Sequence, residues 1–259
     1  MASDLKPPRA WRLAGIPIHV DPSWYFTAVF VAWSLSTGYF PQAYAGLTPL
    51  LYGAMGVAAA VLLFGCVLLH ELGHALVAKA HGLGVWRVTL FVFGGVAQIA
   101  GDPARPSVEL WVALAGPAVS VALAAGCALA SQALAQPLWP LAAVLRYLAV
   151  INLGIILFNL LPGFPLDGGR VLRAVVWALT RNRIRATRVA SLLGSALGIG
   201  LLVLGVWHVV RGHVAGGLWY VLLGLFLRDA ALASLRSAHD DVATPPVAIG
   251  PKTPENTSS

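Results

Sequence analysis

The stretch Leu51-Tyr52-Gly53-Ala54-Met55-Gly56-Val57-Ala58-Ala59-Ala60-Val61-Leu62-Leu63-Phe64-Gly65-Cys66-Val67-Leu68-Leu69-His70-Glu71-Leu72-Gly73-His74 decides the architecture. From Leu51 to Leu69 it carries no charge, close to the ~20 apolar residues that one helical bilayer crossing requires. On a helix, His70 and His74 lie one turn apart on the same face, within reach of a single metal ion. Glu71 sits beside them, where it can take a proton from an attacking water. With 7 His in 259 residues, such a pattern arises by chance only about 0.002 times. The same residues suit a second use, since ionisable groups inside a membrane also line transport paths.

Working outward, 58% of residues are hydrophobic, 10% are charged and the mean hydropathy is +0.79. Water-soluble domains carry about 25% charged residues, so the composition is that of an integral membrane protein. The expected fold class is an all-α polytopic membrane protein with about six spans and a short membrane-associated β-hairpin after the second. The spans are placed at residues 24–40, 51–80, 108–134, 141–161, 190–210 and 214–227, the last short and rich in glycine. An N-terminal interfacial segment (1–22) precedes a membrane-embedded catalytic domain (23–235), and a disordered tail (236–259) follows. The first apolar run is too long for a signal-peptide core and stays as an anchor. Cys66 and Cys127 fall inside spans as small apolar packing residues, with no disulfide framework.

The net charge of +7 reports topology and not a polyanion. The stretches 41–49 and 131–140 contain no charge, whereas Lys79, Arg87 and Arg105, and then Arg170, Arg173, Arg181, Arg183, Arg185 and Arg188, gather at the alternate loops and span ends. By the positive-inside rule those basic loops, both termini and the His70–His74 turn face the cytoplasm of a multi-pass cell-membrane protein. Nucleic acid is thereby excluded as a partner.

Two histidines and a water leave tetrahedral zinc one protein ligand short. The chain has ten acidic residues. Asp4, Asp240, Asp241 and Glu255 lie in the tails, Asp21 precedes the first span, Asp229 pairs with Arg228, and Asp102 and Glu109 flank a loop. Asp167 remains, inside Phe158-Asn159-Leu160-Leu161-Pro162-Gly163-Phe164-Pro165-Leu166-Asp167-Gly168-Gly169-Arg170. The prolines break the fourth span, and broken backbone at membrane depth lines a wet cavity or is buried in protein. Asp167 therefore serves either as a cap on a helix end or as the third ligand, and the His-Glu-x-x-His pattern favours the ligand.

Residues 85–98 are rich in β-branched and aromatic side chains and read as a hairpin near the cytoplasmic face. Gly94 and Gly95 leave its backbone open, so an extended substrate can pair with this edge. A hairpin that only packs on the helices fits the same residues.

His70-Glu71-Leu72-Gly73-His74, followed two spans later by Asn159-Leu160-Leu161-Pro162 and Pro165-Leu166-Asp167-Gly168-Gly169-Arg170, resembles the site-2 protease family of intramembrane zinc metalloproteases. Gly15 to Trp24, Phe93-Gly94-Gly95-Val96 and Ala115-Gly116-Pro117 resemble its bacterial and archaeal members, so the likeness covers about residues 15 to 175. It implies that one Zn²⁺ per chain is held by His70, His74 and Asp167, with Glu71 as general base. It also implies that Asn159 helps hold substrate or the developing oxyanion, although a buried Asn satisfying the broken helix is equally compatible. The implied partner is a membrane-spanning protein substrate within the lipid bilayer, of the kind whose cleavage frees an anchored transcription regulator. No PDZ-like insertion or CBS pair is visible. The rival from another class is a transporter or proton pathway using the same polar residues, and no internal repeat between the halves supports it.

Overall fold

In the computed structural model, residues 11–134 and 138–243 are described, those beyond 237 by their backbone alone. Among the described residues, five helices are long and apolar enough to cross a membrane: α3 (Pro49–Ala80), α4 (Pro106–Ala133), α5 (Trp139–Asn159), α7 (Arg183–Val210) and α8 (Val214–Ala243, apolar over Val214–Ser237). The span expected at 24–40 is composite. It begins as α1 (Pro22–Ser34), passes through a π-helical turn at Leu35–Tyr39 and ends as α2 (Phe40–Ala43). Asp21 caps its start by accepting from the Ser23 amide at 2.9 Å, with Pro22 at the first helical position, a pairing that satisfies one donor and removes another.

An amphipathic helix, α6 (Asp167–Thr180), follows the break after α5. It ends at Arg181, which adopts a left-handed conformation. The α7 start is capped by Asn182, which accepts from the Arg185 amide at 2.9 Å.

The expected hairpin is part of a larger sheet. Strands β1 (Trp11–Leu13), β2 (Ile16–Val20), β3 (Gly84–Phe91) and β4 (Gly94–Ala100) lie in the order β1-β2-β3-β4. The β2–β3 pair is parallel, with Ile18 opposite Val88, and the other two pairs are antiparallel. The interfacial segment thus contributes two strands that short, unbounded runs did not reveal. Ile16 and Val88 pack with Leu72 and Ala75 of α3 in one buried cluster, fixing the sheet on the helix that carries His70 and His74. Among the described residues no strand pairs with the outer edge of β4.

The glycines of the last span, which weaken it as a sequence signal, mark a close helix pair. A Cβ on Gly217 would stand 2.7 Å from the Gly205 carbonyl oxygen. Small residues let two backbones approach this far inside a membrane. The helix also continues through 236–243, while residues 1–10 and the remainder of the expected tail, 244–259, lie outside the described residues.

Candidate metal centre and active site

α3 presents His70 and His74 one turn apart, and both are buried. α6 brings Asp167 from 97 residues away: His70 Nε2 is 3.1 Å from Asp167 Oδ2, and His74 Nε2 is 3.2 Å from Oδ1. The two imidazole Nε2 atoms are 3.2 Å apart. One ligand atom from each of the three residues lies within 4.8 Å of the others. These groups converge on a point and do not string out across the bilayer as a conduction path requires.

The opposite ring nitrogens are held by α4. His74 Nδ1 is 2.7 Å from the Val112 carbonyl oxygen, which can only accept, so Nδ1 carries a proton and Nε2 is the nitrogen turned to the site. His70 Nδ1 meets the Ser120 hydroxyl at 2.8 Å. Such outer partners fix ring orientation and tautomer at metal sites. Between Val112 and Ser120, Gly116 faces the imidazoles. A Cβ there would fall 2.2 Å from His74 Nε2 and 2.5 Å from His70 Nε2, so the space at the three ligands exists because this residue has no side chain. Two imidazoles and a carboxylate around such a space fit zinc.

Sequence reasoning missed Val112, Gly116 and Ser120 as site residues. Their signal was present as a spacing of four along one face of α4. It also set Glu109 aside as a loop flank. Glu109 is 0% exposed and pairs with Arg173 of α6, tying the helix that delivers Asp167 to the helix that orients the histidines.

The Leu160–Leu166 segment is the expected break, and the structure adds that Asp167 begins a new helix. Gly168 and Gly169 therefore lie in its first turn and do not start a loop. A Cβ on Gly169 would meet the Gly163 backbone at 2.4 Å.

Glu71 is fastened to the sheet: the Ala97 amide donates to its Oε2 at 3.0 Å. A cavity of about 420 Å³ opens beside it, lined by His70, Glu71, Gly94, Gly95, Asn159 and Phe226 among others. The structure thus brings Asn159, the last residue of α5, to the same cavity as the metal-site residues. Gly95 has a reason to lack a side chain besides an open edge, since its Cβ would lie 2.5 Å from Glu71 Cγ. Gly94 adopts φ +131° at the hairpin turn, a region that favours glycine. α8 closes the far side, with Phe226 stacked on Phe93 at 4.6 Å between ring centroids.

Among known proteins, the model of peptidase family M50 matches residues 58–137 and 129–204. The chain is 39% identical to the Synechocystis protein sll0528 over 232 residues, which cover 89% of this chain and 60% of that one. It is 38% identical to Rip3 of Mycobacterium tuberculosis over 85% of this chain and 56% of that one. Both relatives carry names that class them with the zinc metalloproteases, and this chain spans less than two thirds of their length. Among solved structures, the site-2 protease from Methanocaldococcus jannaschii superposes with a TM-score of 0.58 at 27% identity, over 87% of this chain and 94% of that one. The matched residues include His70, Glu71, His74, Asn159 and Asp167, and the chain belongs to the site-2 protease (peptidase M50) family of intramembrane zinc metalloproteases.

Proposed function

We propose that the protein hydrolyses a peptide bond within or near the membrane-spanning segment of another membrane protein. His70, His74 and Asp167 would hold one Zn²⁺ per chain, with Glu71 as general base. The observation that carries this reading is the meeting of three buried ligand groups from distant helices beside a carboxylate that opens onto a cavity. When bound, zinc would polarise the scissile carbonyl and make water acidic enough to attack at neutral pH.

The protein's own groups do the rest. Val112 and Ser120 keep the imidazole Nε2 atoms pointed inward, and the Ala97 amide holds one oxygen of Glu71. The other oxygen is left to take the proton of the attacking water and return it to the leaving amine. Asn159, which lines the wall of the same cavity, would donate to the developing oxyanion.

The substrate helix must unwind to expose a peptide bond. β4 offers a free edge for the extended segment, and the Gly94–Val96 stretch borders the catalytic cavity. The Ala97 amide points to Glu71 and away from β3. By antiparallel alternation the Gly95 amide faces the same free edge, where a substrate carbonyl can pair with it. By the positive-inside rule the site would face the cytoplasm, and a single-span anchored regulator is the substrate class the family suggests.

The test is the metal content of detergent-purified protein beside His70→Ala and Asp167→Ala variants, together with cleavage of single-span reporters. One zinc per chain, lost in both variants, with cleavage lost in Glu71→Gln, is expected. Zinc indifferent to Asp167 would overturn the ligand set.

A further inference from the structure

The catalytic cavity has a polar neighbour. A second cavity of about 310 Å³ is bordered by Ala97, Ile99, Gly101 and Asp102 on one side and by Pro165, Arg170 and Arg173 on the other. Pro165 lines both cavities. Along β4 the Gly94–Val96 stretch borders the first, and Ala97 and Ile99 border the second. A strand advances about 3.4 Å per residue, so four residues carry a paired segment from one to the other over about 14 Å.

The charges at the second cavity do not balance. Arg173 is committed to Glu109, and Asp102 to Arg183. The Arg170 side chain has no hydrogen bond and no ion pair within 4 Å among the described residues, while its backbone amide donates to the Leu166 carbonyl. Of the charged side chains that border this cavity, Arg173 and Asp102 are thus paired, and Arg170 is left without a partner among the described residues. Burial pulls the Arg170 guanidinium below its ordinary pKa, the neighbouring Glu109, Asp167 and Glu71 carboxylates oppose that shift, and Arg173 adds to it. The group stays charged at neutral pH. An unpaired guanidinium in a partly dry cavity is a receptor for a carboxylate, whose two oxygens match its planar fork.

We propose that this cavity is a substrate subsite that takes an Asp or Glu side chain a few residues from the scissile bond, on the water-facing flank of the cleaved segment, with Arg170 as its counter-ion. This rests on the proteolytic reading and on strand pairing at β4. It gives the enzyme a chemical mark by which one apolar span differs from another: an acidic residue at a fixed distance from the cut.

The experiment uses reporters with one Leu/Ala-rich span and a helix-breaking residue at its centre. A single Asp, Asn or Lys is placed at each of positions two to eight beyond the cut. Each is incubated with the full-length zinc-loaded protein in neutral and in anionic vesicles. The readout is the ratio of kcat/KM between reporters. At one position Asp is expected to be favoured over Asn roughly tenfold. The ratio should fall to about one in Arg170→Gln, stay partly intact in Arg170→Lys, and invert toward Lys in Arg170→Glu. Binding of the same reporters to the Glu71→Gln protein should follow the same order, and zinc content and thermal midpoint report folding of each variant.

Equal cleavage of Asp, Asn and Lys reporters at every position overturns the subsite, as does an Asp preference that survives Arg170→Glu. An effect of Arg170 that follows vesicle charge and ignores the reporter overturns it in favour of a lipid headgroup. Failure of the zinc-loaded wild-type protein to cut any reporter would instead sink the proteolytic reading beneath it.

Discussion

The backbone amide of Ala97, on the free edge strand of the sheet, donates to Glu71 Oε2 at 3.0 Å. The group proposed as general base is thus positioned by a peptide bond and not by another side chain. Proline at 97 removes that donor alone. An edge strand tolerates proline where its N–H faces away from the neighbouring strand. Ala97→Pro should keep its zinc and lower kcat roughly tenfold, the worth of one hydrogen bond to a charged acceptor. An unchanged kcat in steady-state kinetics would show that this amide does not position the base.

Glu71→Gln keeps the shape of the site and removes its proton acceptor. General-base catalysis is worth about 10²–10⁴ in rate, so turnover should fall by that factor while metal content holds at one zinc per chain. Reporter cleavage and elemental analysis on the same preparation decide it, and substantial residual proteolysis would reassign the base.

Gly116→Ala inserts a methyl group where both Nε2 atoms converge. The helix itself gains from alanine, so α4 should persist and the site should close. The expected result is a folded protein with less than a tenth of its zinc. Full zinc occupancy would mean that the ligands approach the metal from elsewhere.

Ser120→Ala leaves every ligand in place and frees the His70 ring to turn. Loss of an outer hydrogen bond of this kind weakens metal binding about 10- to 100-fold. Competition with a chelator of known affinity should detect it, and an unchanged affinity would make the serine a packing residue.

Glu109→Gln leaves Arg173, whose side chain is only 14% exposed, without its charge partner. Breaking a buried pair from one side costs about 3–5 kcal/mol. The variant should unfold at a markedly lower temperature, and zinc should be lost with α6 as it detaches from α4. A thermal midpoint equal to wild type would show that water already solvates this pair.

Much of this was legible in residue order. The uncharged run before His70 declares a span, and the i, i+4 histidines with Glu71 declare the chemistry, because both follow from the pitch of a single helix. Asp167 emerged by elimination among few acidic residues and by the prolines around it. The first span was less legible, since its π-helical turn at Leu35–Tyr39 leaves no mark in composition. Strands β1 and β2 were invisible for a related reason: three and five residues acquire a strand identity only by pairing with each other and with β3.

The sequence by itself determined which side chains are candidates to bind and react, because local periodicity and the scarcity of charge in an apolar chain single them out. Only the tertiary structure decided what holds them. Val112, Gly116 and Ser120 meet the histidines, Ala97 meets Glu71, and Glu109 meets Arg173 across separations of 26 to 64 residues. Contacts at that distance arise from how helices and a sheet pack, and no single element carries them.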